Sequence, residues 1–128
     1  MATRSLIGIY DKEDGTVTAS YCHFDGYLTG VGATLVKSYN NAWDAAKVAC
    51  GGYISSLESD YESSKQKSAN SDEAVNYASV SEYIANGFDD VGADYLYLFD
   101  GEAWFFCREG KVGFEEVAMN LEIAEQIS

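Results

Sequence analysis

The sequence predicts one α+β domain, residues 1–128, in which an antiparallel sheet built from two hairpins is covered by about three helices. Two pairs of short apolar segments are each joined by a turn-forming loop, as in hairpins. Three other segments space their apolar residues as amphipathic helices do. The chain has 128 residues and 47% of them are hydrophobic, which suffices for one core without a disulfide or a metal.

The first hairpin is predicted from strands at residues 6–10 and 16–23. The loop between them, residues 11–15, contains two aspartates and a glycine, which favour turns. Alternation in the second strand places on one face Val17, Ala19, Tyr21 and His23. This pattern is typical of a strand that is buried on one side.

Two helices are predicted after this hairpin, at residues 29–39 and 42–50. Thr29 can cap the first, and Asn41 is the expected N-cap of the second. The two glycines at positions 51 and 52 supply the left-handed end of the second helix.

The middle of the chain gives weaker signals. Residues 53–57 suggest a short strand, and residues 80–86 suggest a helix that Gly87 ends. Residues 58–72 combine serines with charged side chains and predict a mobile loop or an exposed helix.

The second hairpin is predicted from strands at 95–99 and 102–107 around Asp100-Gly101, a strong turn signal. It carries six aromatic residues, Tyr95, Tyr97, Phe99, Trp104, Phe105 and Phe106. Either the two strands are central and buried on both sides, or they form an edge with an exposed aromatic face that could dock a partner.

The chain closes with a helix predicted at residues 114–127. One apolar stripe consists of Phe114, Val117, Ala118, Leu121 and Ala124. A second stripe on roughly the opposite face consists of Met119, Ile123 and Ile127. A helix that is apolar on two sides is either sandwiched between layers or shared with another chain. The second stripe is therefore a candidate oligomer interface, for example in a homodimer.

The charge of the chain excludes several classes of partner. It has 21 acidic and 8 basic residues, a formal net charge of −13. Such a field repels nucleic acid and anionic lipid, so we expect direct binding to neither. Residues 1–57 hold five acidic and four basic residues, whereas residues 58–128 hold sixteen acidic and four basic residues, a net charge of −12.

This asymmetry has two interpretations. The acids can be a solvated surface that keeps the protein soluble. They can also form a face that imitates the charge of DNA and occupies the basic groove of a nucleic-acid-binding protein. The candidate partner-binding residues are Glu58, Asp60, Glu62, Asp72, Glu73, Asp89, Asp90, Asp94, Glu115, Glu116, Glu122 and Glu125.

The cysteines and the chain start indicate the compartment. Cys22, Cys50 and Cys107 are scattered and odd in number, which fits reduced thiols better than a disulfide frame. The first apolar run is too short for a signal peptide, and no apolar run reaches the length of a membrane span. We therefore expect a soluble, cytoplasmic protein.

One short segment brings together groups that can do chemistry. Cys22, His23 and Asp25 supply a thiol, an imidazole and a carboxylate. On a strand, however, Cys22 and His23 point to opposite faces and cannot hydrogen-bond directly. One histidine is too few ligands for a metal site, and Leu35 replaces the third glycine of a dinucleotide fingerprint after Gly30-Val31-Gly32. We expect neither a metal nor a cofactor.

Four segments within the first 40 residues form a further pattern: Arg4-Ser5-Leu6-Ile7-Gly8-Ile9, Asp14-Gly15-Thr16-Val17, Tyr21-Cys22-His23-Phe24-Asp25-Gly26-Tyr27 and G-V-G-x-x-L at 30–35. In these segments the chain resembles a group of small proteins encoded by tailed phages and prophages. It departs from the group at Phe24 and Leu28, where tryptophan and proline are frequent. The resemblance implies a phage setting and no particular activity.

These observations lead to one leading hypothesis and two alternatives. The first is a non-enzymatic, phage-encoded inhibitor that binds a basic host protein, such as a CRISPR or restriction effector, by nucleic-acid mimicry. The second is a self-associating interaction protein without mimicry. The third is a small enzyme or ligand-binding module around Cys22, His23 and Asp25.

Overall fold

Two hairpins meet side by side at the centre of a six-stranded sheet. The computed structural model describes residues 2–66 and 72–127, with backbone alone for Gln66 and residues 123–127. The strands are β1 (Ser5–Tyr10), β2 (Val17–Cys22), β3 (Val75–Tyr77), β4 (Tyr95–Phe99), β5 (Trp104–Arg108) and β6 (Glu115–Glu116). Their order across the sheet is β3-β2-β1-β4-β5-β6.

Helices cover both faces of this sheet. A π-helical turn (Leu28–Gly32) leads directly into α1 (Ala33–Ser38). The other helices are α2 (Ala42–Cys50), α3 (Tyr61–Gln66), α4 (Val80–Val91) and α5 (Val117–Ile127). Side chains of α1, α2 and α5 pack on one face of the sheet, and those of α4 pack on the other.

The α+β class and both predicted hairpins are confirmed, but the sheet is not purely antiparallel. β1 pairs with β2 and β4 pairs with β5 in antiparallel fashion, whereas β1 and β4 are parallel neighbours. The sheet is therefore mixed, and the described residues contain five α-helices rather than about three. Local sequence patterns specify each hairpin, but they do not specify which strands of different hairpins become neighbours.

The aromatic hairpin lies at the centre of the molecule, buried on both sides. Along β4, Tyr97 and Phe99 enter the core beneath α1, α2 and α5, while Leu96 and Leu98 enter the core beneath α4. This arrangement is the first of the two interpretations of the aromatic residues. The loop is longer than predicted, since Phe99 pairs with Trp104 and β5 begins there rather than at residue 102.

Several predicted boundaries are wrong for identifiable reasons. Helix α4 continues through Gly87, where a side chain would come within 3.1 Å of Leu96, and ends at the left-handed Gly92. The last helix begins at Val117 because residues 115–116 pair with β5 instead. Phe114, assigned to its apolar stripe, packs on the opposite core, stacked on Tyr83.

The middle of the chain also differs from prediction. The predicted helix at 29–39 is divided into the π-helical turn and α1. In the predicted strand at 53–57, Ile54 alone forms a bridge, to Cys22. Part of the segment 58–72 is helix α3, and its residues 67–71 lie outside the described part of the chain. No helix within the described residues has the length and apolar character that crossing a membrane requires.

Candidate functional site

The segment 21–27 closes the end of β2 with a tightly held turn. The backbone N–H groups of His23 and Phe24 donate to the carbonyls of Ile54 and Ser55, at 3.1 and 2.9 Å. Asp25 adopts the left-handed conformation with φ of 58°. The following residue, Gly26, donates to the Thr3 carbonyl at 2.8 Å. Hydrogen bonds to two distant segments therefore fix the backbone of this turn.

The side chains of Cys22, His23 and Asp25 each contact a different partner. Cys22 is buried, with its Sγ 3.5 Å from the Phe24 carbonyl oxygen, and burial raises the pKa of its thiol to about 12. His23 Nδ1 is hydrogen-bonded to Tyr21 Oη at 2.7 Å. Asp25 accepts a hydrogen bond from Tyr27 Oη at 3.2 Å. The three groups are thus not arranged as a nucleophile, a base and an orienting carboxylate.

Four aromatic rings follow one another along this end of the sheet, and we call them the aromatic row: Phe24, His23, Tyr21 and Tyr53. Their successive ring centroids are 4.5, 5.8 and 5.5 Å apart. Phe24, at one end of the row, is 43% exposed. At the other end, Tyr21 and Tyr53 line a cavity.

This cavity, which we call the β2 cavity, has a volume of about 520 Å³. It is lined by Leu6, Tyr21, Tyr53, Asp72, Glu73, Val75 and Val91. These residues come from β1, the end of β2, the loop after α2, the approach to β3 and the last residue of α4. The cavity thus combines an apolar floor, an aromatic wall and two carboxylates.

The predicted partner-binding acids fall into three places, and the largest group lies in the lining of the β2 cavity and at the adjoining end of α4. We call this group the α4 acidic patch: Asp72, Glu73, Asp89, Asp90 and Asp94. Asp72 and Glu73 line the cavity beside the end of α4. Asp90 accepts a hydrogen bond from Tyr77 Oη at 2.9 Å, which connects this end of α4 to β3. Asp94 accepts from the backbone N–H of Arg4 at 3.1 Å.

The other acids lie elsewhere. Glu58, Asp60 and Glu62 belong to the start of α3, where Asp60 accepts the N–H of Ser63 and this hydrogen bond holds the pKa of Asp60 below its usual value. Glu115, Glu116 and Glu122 lie on β6 and α5, at the far edge of the sheet from β3. With strands ~4.8 Å apart, the two edges are roughly 24 Å apart. The side chain of Glu125 lies outside the described residues.

The predicted oligomer interface can be described for one of its three residues. Met119 is 58% exposed. The side chains of Ile123 and Ile127 lie outside the described residues. On the other stripe of α5, Val117 is buried and Leu121 packs against the core.

Two further candidate features of the sequence are the glycine-rich segment at 30–32 and a metal site. Gly32 lies against Tyr97 and Val117, so it permits close packing of the π-helical turn on the hairpin. Within residues 2–66 and 72–127, no group of three or more histidine, cysteine or acidic side chains is placed to hold a metal ion.

No protein-family model, curated protein or solved structure matches this chain. The chemistry of the site itself is therefore the basis for its interpretation. Its aromatic and apolar lining was not predicted from the sequence. The alternation in β2 placed Tyr21 and His23 on one face, which was the available signal, but no local pattern indicates that Tyr53 and Val91 approach them.

Proposed function

We propose that this protein is a phage-encoded, non-enzymatic inhibitor that binds a basic host protein. The partner belongs to the nucleic-acid-binding class, such as a CRISPR or restriction effector, and the inhibitor competes with nucleic acid for its basic groove. The α4 acidic patch carries the proposal, because Asp72 and Glu73 line one concave, partly aromatic surface, and three further acids lie on or just after the end of α4, whose Val91 belongs to the same lining. The resemblance of the first 40 residues supports the phage setting.

The position of two of these acids favours a role in binding over a role in solubility alone. Asp89 and Asp90 lie in the last turn of α4, which contains no basic residue. A negative charge at the C-terminal end of a helix opposes the helix dipole, typically by about 0.3–1 kcal/mol at an exposed site. A charge that serves solubility alone could lie anywhere on the surface, so its presence here favours a partner.

The chemistry of the segment around Cys22 also favours binding over catalysis. A thiol whose pKa is raised to about 12 is almost fully protonated at neutral pH and is a poor nucleophile. His23 is hydrogen-bonded to Tyr21 rather than to the thiol. The hydrogen bond between His23 and Tyr21 instead holds two rings of the aromatic row together.

The experiment uses two double variants with equal charge. Glu73→Gln with Asp89→Asn removes two exposed acids of the α4 acidic patch, and Glu115→Gln with Glu122→Gln removes two exposed acids elsewhere. Each pair changes the net charge from −13 to −11. Host proteins are captured on the wild type, and the affinity of a captured nucleic-acid-binding protein is then measured against both variants, rising salt and duplex DNA.

We expect the patch variant to bind at least about tenfold more weakly, because close charge pairs at interfaces contribute more than rim charges. We expect the β6/α5 variant to change affinity by less than about threefold. Added salt and duplex DNA should both displace the partner. Equal losses for the two variants, or binding indifferent to salt and DNA, would contradict the proposal.

Self-association is a second candidate, favoured by the exposure of Met119 on α5. Large apolar side chains at the surface are enriched where two chains meet. We expect Met119→Glu to shift a dimer to monomer in sedimentation at micromolar concentration. The control is Asn86→Glu, at an exposed polar residue of α4 on the other face of the sheet, which should leave the dimer intact. A monomeric wild type at that concentration would remove this candidate.

A further inference from the structure

We infer that the β2 cavity binds the guanidinium group of an arginine side chain presented by the basic partner. This inference rests on the proposed function and names the group that the partner inserts. The juxtaposition of an aromatic wall, two carboxylates and an apolar floor in one concave site carries it.

The dimensions of the cavity suit one long side chain. Its volume of about 520 Å³ lies within the range typical of small-ligand sites. The apolar residues Leu6, Val75 and Val91 offer a surface for the methylene groups of an inserted side chain. Only the terminal group of the ligand then has to satisfy the polar part of the lining.

The polar and aromatic lining selects a planar cation. Tyr21 and Tyr53 both line the cavity, with ring planes inclined at 40° to each other, and a guanidinium can stack on the face of such a ring. The backbone N–H of Tyr53 donates to the carbonyl of Asp72 at 2.9 Å, which keeps this ring beside the carboxylates. A carboxylate such as that of Glu73 can accept two parallel hydrogen bonds from a guanidinium, which an ammonium group cannot offer in the same plane. The same carboxylates repel phosphate.

The aromatic wall is held in place before any ligand arrives. The hydrogen bond between Tyr21 and His23 fixes the phenol, and the contact of His23 with Phe24 continues the row away from the cavity. Burial raises the pKa of Tyr21, so its phenol stays neutral and adds no charge to the wall. A site that is already ordered loses little entropy when the ligand binds.

Removing the charge of Arg4 tests the inference, because it should change the affinity for arginine in one known direction. The Nη1 of Arg4 lies 3.0 Å from where a Cβ at Gly92 would stand, next to Val91 of the cavity lining, so a guanidinium of this chain lies close enough to repel an incoming one. We expect Arg4→Gln to strengthen arginine binding by about twofold or more relative to Lys37→Gln, which removes an equal charge from an exposed site on α1. Equal effects of the two substitutions would overturn the assignment of this cavity.

The direct experiment titrates the labelled protein with acetyl-Gly-Arg-Gly-amide and follows backbone and ring signals by NMR. We expect saturable shifts at Tyr21, Tyr53 and Glu73, weaker ones with the lysine peptide and none with the neutral citrulline peptide. Glu73→Gln should weaken binding about fivefold, since one charge-assisted pair is lost, whereas Glu62→Gln should not. Shifts spread evenly over Glu62 and Glu115, or equal shifts with citrulline, would overturn the inference.

Two ring variants separate loss of binding from loss of folding. Tyr53→Phe keeps the ring and should retain binding of the peptide, whereas Tyr53→Leu should lose it by about fivefold or more. Equal binding by both would overturn the role of the ring. A host protein that binds wild type and Tyr53→Leu equally would overturn the inference and leave the proposed function standing. If the peptide binds specifically but no host protein binds in a salt-sensitive way, the proposed function is overturned and the arginine site stands.

Discussion

Gly26 is hydrogen-bonded to two distant parts of the chain, the backbone of residue 3 and the side chain of residue 97. It donates to the Thr3 carbonyl, and its own carbonyl accepts a hydrogen bond from Tyr97 Oη at 2.7 Å. A Cβ at this position would come within 2.8 Å of the Thr3 carbonyl oxygen. Because backbone cannot move aside as a flexible side chain can, we expect Gly26→Ala to lower the free energy of unfolding by about 2 kcal/mol, measured with urea.

The matched control is Gly113→Ala. A Cβ there meets no atom within 4 Å, and the backbone of Gly113 is not left-handed. We expect a change of less than about 0.5 kcal/mol, as at an ordinary surface position. Similar losses for both variants would mean that the close approach of the Thr3 carbonyl oxygen to Gly26 does not limit this position.

The three thiols should differ sharply in reactivity. Cys22 and Cys107 are buried and Cys50 is exposed. With its pKa raised to about 12, only about one in ten thousand Cys22 thiols is ionised at pH 8. We expect Ellman's reagent to modify one thiol rapidly in the native protein and three in denaturant. Cys50→Ser should remove the rapid phase, and a rapid phase that persists would contradict the burial of Cys22 or of Cys107.

Single-residue inference from the sequence succeeds where the reason is local. The alternation of a strand correctly separates Cys22 from His23, and it also groups Tyr21 with His23, which are hydrogen-bonded. It cannot reveal Tyr53, whose ring reaches Tyr21 across a gap of 32 positions in the sequence. That contact depends on how the loop after α2 packs, and no local period encodes it.

Helix α4 carries negative charge at both ends, and this charge stabilises the helix at its start and destabilises it at its end. Near the start, Ser79 Oγ accepts the N–H of Glu82, and the Glu82 carboxylate accepts the N–H of Ala78. At the other end, Asp89 opposes the dipole. We expect Asp89→Asn to raise the free energy of unfolding by about 0.5 kcal/mol and to lower the affinity for the partner. Stability and binding then change in opposite directions.

The control for this prediction lies on the same helix. Glu82→Gln removes a negative charge from the end where the dipole favours it, and we expect a loss of about 0.5 kcal/mol in urea unfolding. The two substitutions remove the same charge, and we expect them to change the free energy of unfolding in opposite directions. Loss of stability in both, or gain in both, would show that net charge rather than the helix dipole governs this element.

The helices and strands that could be predicted are those with a complete local signal. Helix α2 begins and ends as expected, and Asn41 caps it by accepting the N–H of Asp44 at 2.9 Å. Strand β3 has three residues, of which only Tyr77 is buried, so it has no periodic pattern to detect. Helix α4 passes through Gly87 because that glycine packs against β4, a tertiary reason that the sequence alone does not show.

For the molecule as a whole, the sequence locates the excess charge in residues 58–128 but does not show how it is divided. The fold sends one group of acids to the end of α4 and another to the opposite edge of the sheet. Several acids also cap turns and helices, as Asp60 and Asp100 do. Part of the charge therefore has local structural roles, as it does for Asp90 and Asp94 within the α4 acidic patch, whose Asp72 and Glu73 line the β2 cavity.

Buried phenols link the stability of the whole fold to alkaline pH. Tyr83 and Tyr97 are buried and donate hydrogen bonds to the carbonyls of Tyr97 and Gly26, at 2.8 and 2.7 Å. Burial raises the pKa of both phenols well above 10 and that of the Cys22 thiol to about 12. The unfolded chain releases these protons at their ordinary pKa values, so the stabilisation is complete below about pH 8, declines first through the thiol and declines further through the two phenols above about pH 9.

We therefore expect the free energy of unfolding, measured with urea from pH 7 to 11, to fall increasingly steeply above pH 9. Each buried phenol contributes up to about 1.4 kcal/mol per pH unit to this loss of unfolding free energy, once the same phenol is ionised in the unfolded chain. Tyr97→Phe removes one such proton and should reduce the slope between pH 10 and 11. Phe99→Leu, at a buried ring without a proton, should lower stability at every pH and leave the slope unchanged. An unchanged slope in Tyr97→Phe would contradict the linkage.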